Sequence, residues 1–264
     1  MEKRFLAPKE IANAMVNVGV GKANLKTSAM IYLGILAGVY IGFGGLANTI
    51  VSQTLGNIDP GLAKFAGAAV FPVGLMLVVI AGAELFTGNN LMTLAVMNKK
   101  ITVGQMLKNW GTVWVANLIG SVLLALIVAY TDILGGDAGT KAMAIAESKA
   151  SLDIMTLVGR GILCNILVVL AVWMATSSQD IISKIFACWF PIMLFVLRGF
   201  EHSVEKMYFI PVVMLLGAKV TMAALIKNLV FVTIGNILGG AILIPGLYQA
   251  AYLQDDFIKS KQES

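Results

Sequence analysis

The chain has little charge and few of the residues that build disulfide or metal sites. Only 12% of its 264 residues are charged and 58% are hydrophobic, against about 25% and ~45–50% in soluble domains. It has a single histidine, and its two cysteines, Cys164 and Cys188, lie inside apolar runs. We expect free thiols among apolar side chains rather than a disulfide framework. This composition excludes a soluble globular protein and indicates one membrane domain over residues 1–264.

The first residues also lack the apolar core of a signal peptide, so we expect no cleaved leader. Pro8 suits the first turn of a helix. Ile11, Met15 and Val18, with Val16 as a further candidate, would give that helix an apolar stripe. Two positions are open for this amphipathic segment, residues 1–27: in the membrane interface at a pore mouth, or packed against the underside of the helix bundle.

Apolar runs long enough to cross a bilayer occur six times, since a span needs roughly 20 apolar residues. The second run is interrupted near Glu84 and the fifth near Glu201. We therefore predict an all-α membrane protein with six crossings and broken second and fifth spans. The predicted runs are 28–51, 62–96, 110–130, 159–176, 181–216 and 229–247.

Basic residues predict the orientation, because Lys and Arg are concentrated in cytoplasmic loops. With six crossings, both termini share a side with the loops near residues 98–108 and 177–184. That side carries Lys3, Arg4, Lys9, Lys22, Lys26, Lys99, Lys100, Lys108, Lys184, Lys259 and Lys261, and the other side carries Lys64, Lys141, Lys149, Arg160, Lys219 and Lys227. We expect a multi-pass protein of the cell membrane with both termini, including a tail at 249–264, in the cytoplasm. The net charge of +5 then needs no nucleic acid partner.

The chain repeats three landmarks in the same order. The pairs are Gly34-Ile35-Leu36 with Gly161-Ile162-Leu163, Gly82-Ala83-Glu84 with Gly199-Phe200-Glu201, and Lys108-Asn109…Asn117-x-x-Gly120 with Lys227-Asn228…Asn236-x-x-Gly239. Each half, residues 28–130 and 157–248, holds three crossings, an odd number, so the halves insert with opposite orientation. Such inverted repeats place the functional site near the midplane, where broken helices meet.

These residues resemble the formate/nitrite transporter family, which includes hydrosulfide channels. The most specific segments are Gly82-Ala83-Glu84-Leu85-Phe86-Thr87-Gly88-Asn89, Gly161-Ile162-Leu163-Cys164-Asn165, Gly199-Phe200-Glu201-His202-Ser203 and Lys227-Asn228 with Gly235-Asn236. The resemblance covers nearly the whole chain. It implies an aquaporin-like fold, five identical subunits and a pore through each subunit, and we expect no metal or other cofactor.

The resemblance also implies site residues. His202 would be the central pore histidine, Thr87 would lie on the loop that breaks the second span, Asn165 would support the site, and Lys149 would be the basic residue of the outer vestibule. The apolar constrictions would be formed by Phe71, Leu75, Leu85, Phe86 and Phe195.

The chain departs from the family beside His202. Arg198 stands where a small residue is usual, and Glu205-Lys206 replace a typical Ala-Asn pair. Arg198 has three possible positions: facing the pore, paired with Glu201 or Glu205, or at an aqueous surface. The roles of these three residues stay open at this point.

Each candidate residue also has a structural interpretation. Ionisable groups at membrane depth are usually functional; the structural alternative for His202 is a polar side chain that only satisfies hydrogen bonds between helices. A pore carboxylate would repel an anion, so we expect Glu84 and Glu201 to accept hydrogen bonds from the backbone freed by the breaks. The corresponding alternatives are a cap of the following half-helix for Thr87, a solvated loop charge for Lys149 and packing residues for the phenylalanines.

The residue types suggest passage as a neutral acid. An apolar constriction bars an anion, since burying an isolated ion is very unfavourable. Protonating a carboxylate of ordinary pKa at neutral pH costs only roughly 4 kcal/mol, from about three pKa units at about 1.36 kcal/mol each. His202 titrates in the physiological range and is one proton donor; water is the other.

Other function classes lack their expected motifs. An aquaporin-like water or glycerol channel should carry two Asn-Pro-Ala signatures, and an ammonia channel should carry paired histidines in its pore. An intramembrane metalloenzyme should carry His-Glu-x-x-His. The sequence contains none of these, and a membrane scaffold has no need of two polar breaks. We predict a channel or proton-coupled transporter for formate, nitrite or hydrosulfide, and we do not expect an enzyme. The sequence does not distinguish among these three anions.

Overall fold

The computed structural model describes residues 5–254, and these residues are almost entirely helical. The described part contains no strand, only an isolated bridge between Phe5 and Ser178. The α-helices are α1 Pro8–Ala23, α2 Thr27–Ser52, α3 Pro60–Val70, α4 Val73–Met76, α5 Thr93–Met97, α6 Val103–Tyr130, α7 Gly136–Ala150, α8 Ile154–Ser177, α9 Ile181–Arg198, α10 Ser203–Leu215, α11 Met222–Ile237 and α12 Ile244–Tyr248. Short 3₁₀ segments cover Leu55–Asn57 and Gly88–Met92, and π-helical turns cover Leu77–Gly82, Leu238–Leu243 and Gln249–Leu253.

Six helical segments of the described residues are long and apolar enough to cross a membrane, which confirms the predicted number and order. They are Thr27–Ser52, Pro60–Gly82, Val103–Tyr130, Ile154–Ser177, Ile181–Arg198 and Met222–Leu253. The third and sixth begin seven residues earlier than the apolar runs predicted, at 103 and 222 instead of 110 and 229. The cause is local capping: the hydroxyls of Thr102 and Thr221 accept bonds from Gln105 N and Ala224 N.

Four of the basic residues that predict the orientation lie outside the described residues. They are Lys3, Arg4, Lys259 and Lys261, and most of the predicted tail lies outside as well.

Both predicted breaks are present. The second span ends in the π-helical turn Leu77–Gly82 and resumes with the 3₁₀ segment Gly88–Met92. The fifth stops at Arg198 and resumes at Ser203. Gly82 and Gly199, at equivalent points of the repeat, have φ of 92° and 66°, a left-handed backbone that glycine adopts without the penalty of a Cβ atom.

The repeated glycines bring helices into close contact in the same way in both halves. A Cβ atom on Gly120 of α6 would overlap the carbonyl oxygen of Ile35 in α2, and one on Gly239 would overlap that of Ile162 in α8. Small residues of this kind let membrane helices approach closely. The recurring Gly-Ile-Leu and Asn-x-x-Gly landmarks are thus the two sides of one packing contact.

Helix α1 packs against the underside of the bundle and also reaches a cavity. Ile11, Met15 and Val16 are buried, and Gly19 lies against Ala95. The expected place of Val18 in the apolar stripe is wrong. Val18 is 38% exposed and lines a cavity, because the buried face also includes Ala12 and Gly19 and is therefore centred away from Val18.

Candidate functional site

Two cavities enter the helix bundle from opposite ends. The α7 vestibule, of about 280 Å³, is lined by Lys64, Lys141, Lys149 and Glu205 together with apolar residues. The α1 vestibule, of about 410 Å³, is lined by residues of α1 and of the first break. The broken spans lie between the two vestibules.

Four of the five predicted constriction residues belong to one buried apolar cluster. The rings of Phe71 and Phe195 meet edge to face with centroids 5.5 Å apart, and Phe195 stacks against the His202 ring at 5.9 Å. Leu75 and Leu85 are buried and line the end of the α1 vestibule. The role of this cluster as a barrier between the two cavities stays a prediction.

Phe86 is the exception. Its ring meets Trp110 edge to face at 6.0 Å, in a different apolar cluster from Phe71 and Phe195. Its part in the constriction stays a prediction.

Thr87 and His202 form a buried pair across the two breaks. Thr87 Oγ1 lies 2.8 Å from His202 Nε2, and both side chains are almost completely buried. His202 Nδ1 accepts the backbone N–H of Glu205 at 3.2 Å. Because Nδ1 is the acceptor, a neutral ring carries its proton on Nε2 and donates it to Thr87, which leaves the Thr87 hydroxyl proton for another partner.

This geometry corrects the expectation that Thr87 caps a half-helix. Thr87 precedes the segment Gly88–Met92 but its side chain makes no capping bond. The capping residue is His202, at the start of α10.

Asn117 of α6 holds the first break. Its Oδ1 accepts a bond from Phe86 N at 3.0 Å, and its Nδ2 donates to the carbonyl oxygens of Gly34 at 2.8 Å and Glu84 at 2.9 Å. One amide side chain therefore satisfies two backbone groups that the interruption of the helix leaves near the membrane midplane and ties them to a carbonyl of α2.

Asn236 of α11 holds the second break with the same pattern. Its Oδ1 accepts a bond from Ser203 N at 2.9 Å, and its Nδ2 donates to Gly161 O at 2.8 Å and Glu201 O at 3.0 Å. Sequence reasoning used both asparagines as markers of the repeat and missed this function. Their equal spacing from the paired Lys-Asn motifs was the available signal.

The two glutamates make ion pairs instead of holding the broken backbone, so that part of the prediction is wrong. Glu84 accepts bonds from Lys22 Nζ at 2.5 Å and Asn89 Nδ2 at 2.6 Å. Glu201 is paired with Lys206 and lies 3.6 Å from Lys149 Nζ. The backbone groups already have asparagine partners, so the carboxylates are free to pair with lysines.

The residues that depart from the family have defined positions. Glu205 Oε1 lies 3.3 Å from Lys149 Nζ, and Lys206 is fully buried against Glu201. Arg198 is exposed at the end of α9. Within the described residues the ion pairs of Glu201 and Glu205 are made with lysines, so the alternative in which Arg198 pairs with them is wrong.

Asn165 of α8 links the two repeats. Its Nδ2 donates to Asn90 Oδ1 and to Asn236 O, each at 2.8 Å. It lies 3.4 Å from Thr87 O as well. Asn165 therefore supports the segment that carries Thr87 without itself bonding to His202.

Residues 9–250 match the family described as "Formate/nitrite transporter". The chain belongs to this family. A "Probable formate transporter" of Methanothermobacter thermautotrophicus is 43% identical over 97% of the chain and 100% of its own length. Among solved structures, an "FNT family ion channel" has a TM-score of 0.85 at 30% identity over 91% of the chain and 98% of its own. A "Pentameric formate channel with formate bound" has a TM-score of 0.77 at 32% identity over 86% and 98%.

Membership of the formate/nitrite transporter family defines the class of activity. The protein is a multi-pass membrane channel or transporter rather than an enzyme. No group of three His, Cys, Asp or Glu side chains within residues 5–254 has the arrangement of a metal site.

Proposed function

We propose that the protein carries small monovalent anions of weak acids, with formate first and nitrite or hydrosulfide as alternatives, through a pore in each subunit. The observation that supports this most is the buried Thr87–His202 pair at 2.8 Å, located between two vestibules and beside the Phe71–Phe195 pair. A polar pair enclosed by apolar rings suits a solute that is charged outside and neutral in the constriction.

The α7 vestibule would collect the anion. Lys64, Lys141 and Lys149 line it and carry positive charge, and a cleft lined by one sign of charge raises the local concentration of the opposite ion. Glu205 is the acidic residue among the lining side chains and offsets part of that charge.

The apolar rings would select the protonated form. Moving an isolated ion into a dry apolar region costs tens of kcal/mol by Born solvation, whereas protonating a formate-like carboxylate costs roughly 4 kcal/mol at neutral pH. The neutral acid would then pass Phe71, Phe195 and Leu75. Its oxygen would accept a hydrogen bond from the Thr87 hydroxyl, because Thr87 accepts from His202 and its own O–H is free to donate.

Oligomeric state and location are part of the same proposal. A solved structure of the same fold is described as a pentameric formate channel, and we propose that this protein assembles from five identical subunits with one pore each. Large apolar side chains such as Ile127, Phe186 and Phe190 are exposed on the outside of one subunit and would face lipid or neighbouring subunits. The repeats at 28–130 and 157–248 would form one domain in the cell membrane with both ends in the cytoplasm.

Reconstituted vesicles test this function. Uptake of formate, nitrite and hydrosulfide would be measured with and without an inward proton gradient, with vesicles lacking protein as the control. We expect uptake of at least one of these anions, faster when the outside is acidic. The proposal is contradicted if vesicles with and without protein take up each of the three anions at the same rate.

A further inference from the structure

Glu205 lies where the anion would wait before the constriction. Its side chain lines the α7 vestibule, although the residue is only 5% exposed. Oε1 faces Lys149 at 3.3 Å, and Oε2 is buried with no hydrogen-bond partner among the described residues. Its backbone N–H bonds to His202 Nδ1. One residue thus touches the vestibule, its lysine and the buried histidine.

Lys149 has one exchangeable carboxylate partner. Its other acidic neighbour, Glu201, is already paired with the fully buried Lys206 and lies farther from Lys149, at 3.6 Å. The Lys149 side chain is 15% exposed, so it faces the vestibule. An anion that enters would therefore compete with Glu205, and not with Glu201, for the Lys149 ammonium.

We infer that Glu205 is the proton donor to the transported anion, and that Lys149 exchanges its carboxylate partner at that step. The inference rests on the proposed function. When Glu205 is protonated, Lys149 is available to the anion. The O–H bond of the Glu205 carboxyl then breaks, an O–H bond forms on the anion, and the resulting Glu205 carboxylate pairs with Lys149. The neutral acid leaves toward Phe195, and water of the vestibule returns a proton to Glu205.

The charge around Glu205 is compatible with this exchange. The titratable and charged groups around it are Lys64 on α3, Lys141 and Lys149 on α7, the Cys164 thiol on α8, Glu201 and His202 in the break, and Lys206 on α10, while Arg160 of α8 contacts the break at Gly199 O. Transfer of a proton from Glu205 to the bound anion leaves the total charge of this group unchanged. The step therefore adds no net charge near the apolar rings, where charge is most unfavourable.

Glu205→Gln tests the inference, because glutamine has nearly the same size and keeps the backbone bond to His202 but cannot donate a proton. Formate uptake into vesicles, with internal pH followed at the same time, would be measured over a range of outside pH. Glu147→Gln is the matched control: it removes the same charge from the exposed side of α7, two residues from Lys149.

The unmodified protein should take up one proton per formate, with a rate that rises as pH falls. Positioned general acids contribute about 10²- to 10⁴-fold, and water can replace part of this, so we expect Glu205→Gln to lower the rate at acidic pH by at least about tenfold and to flatten the profile. Glu205→Asp should restore the rise with acid, and Glu147→Gln should behave like the unmodified protein. A merely structural role would not change the shape of the pH profile.

The same rate and profile in Glu205→Gln would overturn the inference and leave the proposed function intact. Absence of uptake of formate, nitrite and hydrosulfide by the unmodified protein would overturn the proposed function itself. If Glu205→Gln fails to assemble, infrared difference spectroscopy on the unmodified protein decides. Formate added at acidic pH should remove a carboxylic acid band that shifts in Glu205→Asp, and no such change would overturn the inference.

Discussion

Thr87 and His202 are 115 residues apart in the chain, and their side chains meet at 2.8 Å in the middle of the bundle. Each comes from the break of a different repeat. Three asparagines fix this meeting: Asn117 and Asn236 hold the two breaks, and Asn165 bonds to Asn90 and Asn236 across the repeats.

His202→Asn should keep the fold and lower the rate of transport. Asparagine is a good N-cap and can accept the Glu205 N–H in place of Nδ1, but its shorter side chain cannot also donate to Thr87 Oγ1 as His202 Nε2 does. The measurement is the rate of anion uptake, with gel filtration to verify assembly. An unaltered rate in an intact assembly would remove His202 from the mechanism.

Removing either aromatic ring of the Phe71–Phe195 pair should reduce the selectivity of the pore for small neutral solutes. Phe71→Ala or Phe195→Ala shortens the dry path that penalises ions, so larger anions and charged species should pass, as measured by vesicle conductance. Phe190→Ala is the control, since Phe190 is 55% exposed on the outside of the subunit. If Phe71→Ala, Phe195→Ala and Phe190→Ala all show the same conductance, the apolar barrier to ions does not lie at the Phe71–Phe195 pair.

Asn117→Ala should destabilise the protein strongly. It leaves the Phe86 N–H and the Glu84 carbonyl oxygen without this partner and removes a second bond to the Gly34 carbonyl of α2, and each buried unsatisfied group costs about 1–3 kcal/mol. We expect a large drop in the melting temperature of the detergent-purified protein. Asn17→Ala, on the exposed face of α1, should have little effect, and equal melting temperatures for the two variants would show that Asn117 does not hold the break.

Gly120→Ala should separate α2 from α6. The added Cβ would overlap the Ile35 carbonyl oxygen, and overpacking costs typically about 1–3 kcal/mol. We expect lower thermal stability and loss of the assembled protein on gel filtration. Gly111→Ala in the same helix meets no atom within 4 Å and should be tolerated. The close-contact explanation is wrong if Gly120→Ala is tolerated equally well.

Single cysteines should report opposite faces of the membrane. Lys100 and Lys141 lie at opposite ends of the bundle, before α6 and within α7, and the excess of basic residues predicts that Lys100 is cytoplasmic. A membrane-impermeant thiol reagent applied to intact cells should label Lys141→Cys and not Lys100→Cys. Labelling of both positions from outside would contradict the six-span topology.

The sequence by itself determined the class of the protein, the six spans and the location of both breaks. Hydropathy is a sum over adjacent residues, and the Gly-x-Glu interruptions stand out locally within long apolar runs. The repeat could be read for the same reason, since Asn117-x-x-Gly120 recurs as Asn236-x-x-Gly239 at the same spacing from a Lys-Asn pair.

Only the tertiary structure decided which atoms meet. No local pattern shows that Lys22 pairs with Glu84, that Phe86 turns toward Trp110, or that the asparagines rather than the glutamates satisfy the broken backbone. A glutamate and an asparagine can both accept a hydrogen bond, and the side chain that does so depends on which helix packs behind the break. That packing joins residues far apart in the chain, so it follows from the fold of the two repeats and not from the sequence around either one.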